Sequence, residues 1–301
     1  MLRLFIFGAG YSAKAVAARL GGAADWIGGT TRDAEKAAEL ARLGIEPFVF
    51  DGTAPAAALR PALARATHLL VSIAPDSGAD PALAQHRADI AAAAELSWIG
   101  YFSTVGVYGD HGGGWVDETT PTQPVSRRSK LRVEAEEAWR EFADARGLPL
   151  SLIRLSGIYG PGRNGFVNLE RGRARRLVKP GQVFNRIHVE DIARFTVAAL
   201  EQRHDGVLNV TDDEPAPPQD VVARAAEIMG VAAPPEQDFD TAELSPMARS
   251  FYGENKRVSN AATKRALGLE MAYPTYREAL AALWAEGTWR DGAPRSAIGE
   301  G

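Results

Sequence analysis

A short apolar run, Leu2, Leu4, Phe5, Ile6 and Phe7, passes directly into Gly8-Ala9-Gly10-Tyr11-Ser12-Ala13, and residues 14–20 continue as an alanine-rich helical stretch. A near-continuous apolar run is what a parallel strand covered on both faces requires. The turn after it fits G-x-G-x-x-A, a dinucleotide-binding fingerprint with Ala in the third place. Each position has a physical task. Gly8 lets the chain turn sharply out of the strand. The missing side chain of Gly10 lets backbone approach a pyrophosphate, and Ala13 is small enough for the helix to pack on the strand. Tyr11, Ser12 and Ala13 then present the free amides and positive dipole end of the helix to the phosphates.

The pattern repeats downstream. Strands are expected at 26–31, 47–50, 68–72, 98–103 and 149–155. Helices are expected at 34–43, 59–66 and 79–96, and from Ser126 through Phe142, where Leu131, Ala135, Ala138, Trp139 and Phe142 recur at helical spacing. Strands and helices that alternate with short connections argue for a doubly wound parallel α/β sheet. The strand at 26–31 ends in Thr30-Thr31-Arg32-Asp33. An NAD site would place a carboxylate there for the ribose 2′-OH. Thr31 and Arg32 instead suit a 2′-phosphate, so NADP is expected, with NAD as the alternative. Asp25 enters the strand rather than leaving it, and Asp33 is expected to cap the next helix. Asp51 could reach the adenine, its other reading being a turn residue. Ser72, Ile73 and Ala74 leave the fourth strand toward the cofactor. His68, at that strand's entry end, is read as structural.

With 301 residues, 46% of them hydrophobic, the chain is long enough for one large α/β domain or two lobes. A net charge of −4 supplies no basic field for nucleic acid or an anionic membrane. Cysteine is absent, which excludes disulfides, thiolate nucleophiles and Cys-ligated metals. No His and carboxylate cluster has metal-ligand spacing. No apolar run approaches a membrane span, and the apolar N-terminus is too short for a signal peptide, so a cytoplasmic protein is expected. The tail after Trp289 is expected to fray.

Several segments together resemble the extended short-chain dehydrogenase/reductase superfamily, in its NAD(P)-dependent epimerase/dehydratase branch. They are the opening fingerprint, Ser103-Thr104 with Val107-Tyr108-Gly109, Arg154 with Ile158-Tyr159-Gly160-Pro161-Gly162, Ile187-His188-Val189-Glu190-Asp191-Ile192, Leu208-Asn209-Val210 and Asp213-Glu214-Pro215. They run in order over about the first 220 residues. The resemblance implies a seven-stranded Rossmann sheet and a small C-terminal α/β substrate lobe, divided as 1–155 and 156–301 with 187–210 returning to the sheet. It implies a small-molecule substrate between the two, such as a nucleotide sugar. Ser156 falls on the cofactor edge. The chain is expected to be a monomer or a homodimer, family pairing being through the helices at 79–96 and 127–146.

One departure stands out. The family uses Ser or Thr, Tyr and Lys, with Tyr four residues before Lys. Thr104 fits the first place and Lys130 the last, but Ser126 stands where the tyrosine belongs. An aliphatic hydroxyl starts several pKa units above a phenol, and a lysine cannot make it an efficient base. Three explanations remain open: a phenol from Tyr108 or Tyr159, a carboxylate such as Asp117 or Glu118 or a substrate group, or no redox chemistry at all. Lys130 keeps a role with the nicotinamide ribose in each of them, against the alternative of an exposed first-turn lysine. His188 is read as a structural hydrogen-bonder, and Glu190-Asp191 as helix N-terminal charge. The basic run from Arg171 to Lys179 could grip a diphosphate or form a solvated face. The two functions that follow are an NADP-dependent oxidoreductase or epimerase/dehydratase and a non-catalytic NAD(P)-binding sensor.

Overall fold

The opening strand shows how the sheet is buried. In β1 (Arg3–Phe7), Leu4 and Ile6 enter one core and Phe5 and Phe7 the other, because successive side chains point to opposite faces. The computed structural model describes residues 1–76 and 79–290, so the expected frayed tail lies, from 291 on, outside the described residues. After β1 come α1 (Tyr11–Leu20), β2 (Trp26–Thr31), α2 (Ala34–Arg42), β3 (Glu46–Val49), α3 (Leu59–Ala64), β4 (His68–Val71), α4 (Pro81–Ala91) and β5 (Trp98–Thr104). Then follow β6 (Trp115–Val116), α5 (Arg127–Arg146), β7 (Leu150–Leu155), β8 (Gly157–Tyr159), α6 (Gly165–Glu170), β9 (Arg176–Val178), β10 (Arg186–His188), α7 (Val189–Glu201) and β11 (Gly206–Val210). The chain ends through α8 (Pro218–Met229), β12 (Glu236–Asp238), α9 (Pro246–Ser250), β13 (Arg257–Val258), α10 (Ala261–Leu267) and α11 (Tyr276–Ala285).

The central sheet has seven parallel strands in the order β11-β7-β5-β4-β1-β2-β3. The order reverses at β1 and β4, and ligands of such sheets bind at the strand ends beside that reversal. One face is covered by α1 and α7, the other by α3, α4 and α5. The lobe is built from α6, α8 and α11 around Phe166, Tyr276, Leu280 and Trp289. Of three two-stranded parallel ribbons, β6/β13 ties residues 257–258 to residues 115–116, while β8/β10 and β9/β12 form between segments that follow β7.

Local chemistry sets several boundaries. Asp33 caps α2 by accepting the Lys36 amide, as expected. The helix expected at 79–96 is shorter. Asp80 caps it by accepting the amides of Ala82 and Leu83, Pro81 occupies its first turn, and His86 interrupts its helical backbone. Ser126 caps α5, and Gly147 ends that helix in the left-handed conformation.

Candidate functional site

At the end of β1, Gly8 has φ +84°, and a Cβ there would come within 2.9 Å of Ile73. Its amide donates to Thr30 Oγ1 at 2.7 Å. Gly10 differs: a Cβ there would enter open space, its nearest neighbour being the Gly8 carbonyl at 4.0 Å. No side chain caps α1, and its first turn carries no carboxylate. The amides of the first turn are therefore left for an external acceptor, and a pyrophosphate suits them in charge and shape. Ala13 is fully buried beneath.

The remaining expected cofactor residues arrange themselves along this edge. Ser72 donates its amide to the Phe7 carbonyl, Ile73 leans on Gly8, and Ala74 is exposed just beyond. Thr31 is half-buried, and Arg32 is exposed with no side-chain hydrogen bond among the described residues. The Asp33 carboxylate is committed to its helix cap and to Lys36, 3.1 Å away. Asp51 is exposed and accepts from the amide and hydroxyl of Thr53, the turn role that was its alternative. Tyr11 turns away from the phosphate side: its hydroxyl donates to the Pro161 carbonyl at 2.9 Å, and burial pushes its pKa up to about 12.

Beside this edge, between the sheet and the lobe, lies a cavity of about 1320 Å³. Thr104, Ser126, Ser129, Ser156 and Tyr159 line it. Thr104 Oγ1 accepts the Gly106 amide at 3.1 Å, which leaves its proton free to donate. Ser126 accepts the Ser129 amide at 3.1 Å and donates to Ser129 Oγ at 2.9 Å. Lys130 does not join them. It is exposed and does not line the cavity, because Ser129 occupies the inward-facing position of that turn. A lysine that does line the cavity is Lys256, buried and bonded to the Gly109 carbonyl and to Glu254, both at 2.7 Å.

The two tyrosines part company. Tyr108 is fully buried, donates to Asn209 Oδ1 at 2.8 Å and lies under the Arg154 guanidinium, away from the cavity. Its phenol is therefore committed to packing and hydrogen bonding. Tyr159 lines the cavity with a buried hydroxyl that has no partner among the described residues. Burial pushes its pKa far above the usual phenol value, so it is a neutral donor at physiological pH. The carboxylates named as substitutes are also engaged. Asp117 holds the turn at Thr119 and Thr120, and Glu118 accepts from Thr263 and Asn209. His188 accepts the Glu190 amide, and burial lowers its pKa to about 4. Glu190 pairs with Arg19, and Asp191 accepts the amides of Ala272 and Tyr273. His68 bonds Thr67 at the strand's entry end.

The basic run does not converge. Arg175 bonds Gln237 and the Glu243 carbonyl, Arg176 bonds Glu236, and Lys179 bonds the Tyr252 carbonyl. Of that run only Arg171 lines the cavity, at its exposed rim. A buried wall of the cavity is formed by Arg186, Tyr276, Tyr159 and Ser156, and the three hydroxyls are unpartnered among the described residues. Each buried hydroxyl left without a partner costs about 1–3 kcal/mol, so such a wall is more readily explained by a ligand than by the fold. Sequence reasoning passed over Arg186 and Tyr276 as parts of a helix start. The only local hint was that Arg186 stands immediately before the Ile187–Asp191 match. Among the described residues no helix is long and apolar enough to cross a membrane, and no cluster of three or more His, Cys, Asp or Glu could hold a metal.

Comparison with known proteins gives a consistent picture. The family model described as "NAD dependent epimerase/dehydratase family" matches residues 85–211. The chain is 30% identical over 178 residues to 3-diazoavenalumate denitrifying reductase from a Streptomyces species, covering 55% of each protein. It spans 55% to 64% of the length of the curated relatives it matches. A functionally unknown conserved protein from Silicibacter pomeroyi is 48% identical, with a TM-score of 0.86 over 95% of this chain and 99% of that one. UDP-glucuronic acid 4-epimerase from Bacillus cereus, in complex with NAD, shares the fold at 17% identity, with a TM-score of 0.74 over 94% and 98% of the two chains.

Proposed function

We propose that this chain, whose residues 85–211 match the NAD dependent epimerase/dehydratase family model, is an NADP-dependent oxidoreductase acting on a carbonyl or hydroxyl carbon of a small metabolite. The observation that carries this reading is the open space at Gly10 before an uncapped α1, adjoining a cavity lined by Thr104 and Ser156. Gly10 and the amides of Tyr11, Ser12 and Ala13 would hold the pyrophosphate. Thr31 and Arg32 would hold the 2′-phosphate, since the nearest carboxylate, Asp33, is occupied by its own helix. The nicotinamide, when bound, supplies or accepts hydride. Thr104 would donate its free proton to the substrate oxygen. Ser126 and Ser129 extend that row of hydroxyls into the cavity, where they can relay a proton but cannot act as a strong base.

The test is calorimetric titration with the oxidised and reduced forms of both coenzymes, followed by turnover assays with NADPH and a panel of small carbonyls and nucleotide sugars. The expected results are binding of NADP(H) at least about tenfold tighter than NAD(H) in the wild type, loss of that preference in Arg32→Ala, loss of binding in Gly10→Val, and oxidation of NADPH by some member of the panel. Binding without turnover, and with affinity unchanged by every compound, would identify a cofactor sensor instead. No heat from any coenzyme would overturn both readings.

A further inference from the structure

The lobe wall of the cavity carries hydrogen-bonding capacity that the fold does not use. Tyr276, at the start of α11, is fully buried and lines the cavity, and its hydroxyl has no partner among the described residues. The hydroxyls of Ser156 and Tyr159 are in the same condition on the same cavity. Arg186 lies among them. Its Nη1 is fixed by the carbonyls of Phe184 at 2.9 Å and Ala216 at 3.0 Å, and its guanidinium sits 5.9 Å from the Tyr276 ring centre. In the β8/β10 ribbon Arg186 stands opposite Gly157, and His188 opposite Tyr159. Alternation along the strands puts Arg186 and Tyr159 on one face, and Gly157 contributes no side chain to compete for the space.

This arginine has no committed counter-ion. Among the described residues no carboxylate lies within ion-pair distance of it. The nearby Asp212 is buried, and burial pushes its carboxyl up to about 8, so it is largely protonated at neutral pH. A wall made of one cation and three hydroxyls asks for an acceptor-rich, negatively charged group.

We infer that this wall anchors a compact anionic group of the substrate, a carboxylate or a phosphate monoester, with Arg186 as its counter-ion and Tyr276, Tyr159 and Ser156 as hydrogen-bond donors. The inference rests on the reading that the cavity holds the substrate. A nucleoside diphosphate is a poorer match, because two phosphoryl groups need cations that converge. Arg175, Arg176 and Lys179 are bonded within the lobe, and Arg163 and Arg171 are at the exposed rim, where water screens them.

The experiment titrates the full chain at pH 7 and low salt with inorganic phosphate, succinate and UDP-glucose, by calorimetry, alongside NADP⁺ on the same samples. The wild type is expected to bind phosphate or succinate, and which of them binds tells the two anion chemistries apart. Arg186→Gln should weaken that binding at least about tenfold. Tyr276→Phe keeps the ring and removes only the hydroxyl, and should weaken it about three- to tenfold. Arg186→Lys, which keeps the charge but loses the planar fork, should fall between wild type and the glutamine variant. Arg171→Gln should leave it within about twofold, as a screened rim charge does. Circular dichroism checks that each variant is folded, and Tyr276→Phe decides the matter if Arg186→Gln is not. The inference is overturned if the wild type binds neither small anion, if the folded variants bind as the wild type does, or if UDP-glucose binds more tightly than both and depends on Arg171. Anion binding that needs Arg186 in a protein that ignores NADP⁺ would support the anchor while refuting the redox reading of the cavity.

Discussion

Asp212 shows how a single buried group can govern the pH response of the site. It follows β11, its backbone amide donates to the Arg186 carbonyl at 2.7 Å, and its carboxyl is held among Arg186, Asp213, Glu214 and Tyr159. The Glu214 amide and the Arg186 charge pull its pKa down, yet burial outweighs them and raises it from 3.8 to about 8. The native state therefore keeps a proton that the unfolded chain releases near pH 4. The stabilisation from that proton is complete below about pH 4 and is lost as the pH rises through about 8. Wild-type protein should lose melting temperature between pH 6 and pH 9, and Asp212→Asn, which stays neutral, should lose less. Parallel melting curves for the two proteins across that range would contradict the assignment. The same contrast explains which residues were legible in the sequence. Gly8, Gly10 and the Asp33 cap act within a few residues of themselves, so their spacing announces them. Arg186, Tyr276 and Asp212 acquire their roles only where β8, β10 and α11 meet, which no local pattern records.

Among the elements, β7 and α5 are joined by a buried ion pair beneath the site. Arg154 donates to Glu136 through Nε at 3.1 Å and Nη2 at 2.7 Å, and Ser103 on β5 donates to the same carboxylate. Both charged side chains are almost fully buried. Removing one partner strands the other charge, so Glu136→Gln should destabilise the protein by about 3 kcal/mol in urea denaturation. Replacing both residues with Met should recover much of that loss, since an apolar pair strands no charge. An unchanged midpoint in Glu136→Gln would mean that the pair contributes nothing. The central strands β1, β4, β5 and β7 were visible as mostly apolar runs because a strand buried on both faces cannot hide its composition. The ribbons were not. β6 pairs with β13 through Trp115↔Arg257 and Val116↔Val258, and two-residue strands carry no periodicity to read. The long helix expected at 79–96 failed for a related reason: an alanine-rich composition favours helix throughout, while the Asp80 cap, Pro81 and the break at His86 decide where it runs.

For the molecule as a whole, the order of the chain and the order of its packing disagree. Residues 187–210 leave the lobe and return to the sheet half: the whole of β11 pairs with β7, from Ser151 to Leu155, and α7 lies against α1. Most of α7 is buried, including Ile192, Phe195 and Leu200. A chain cut after Leu155 would keep the fingerprint turn and six of the seven sheet strands, yet it would expose the α1 face that α7 covers and leave β7 as an unpaired edge. At about 25 cal/mol per Å² of apolar surface, uncovering a three-turn helix contact removes several kcal/mol, comparable with the whole stability of a typical domain. The fragment 1–155 should therefore lack a cooperative thermal transition, whereas 1–290 should melt in one step, and saturating NADP⁺ should move that step upward by binding only the folded state. A fragment 1–155 that melts cooperatively and binds NADP⁺ as the longer chain does would show the sheet half to be a self-sufficient domain, with the returning segment an accessory rather than a structural requirement.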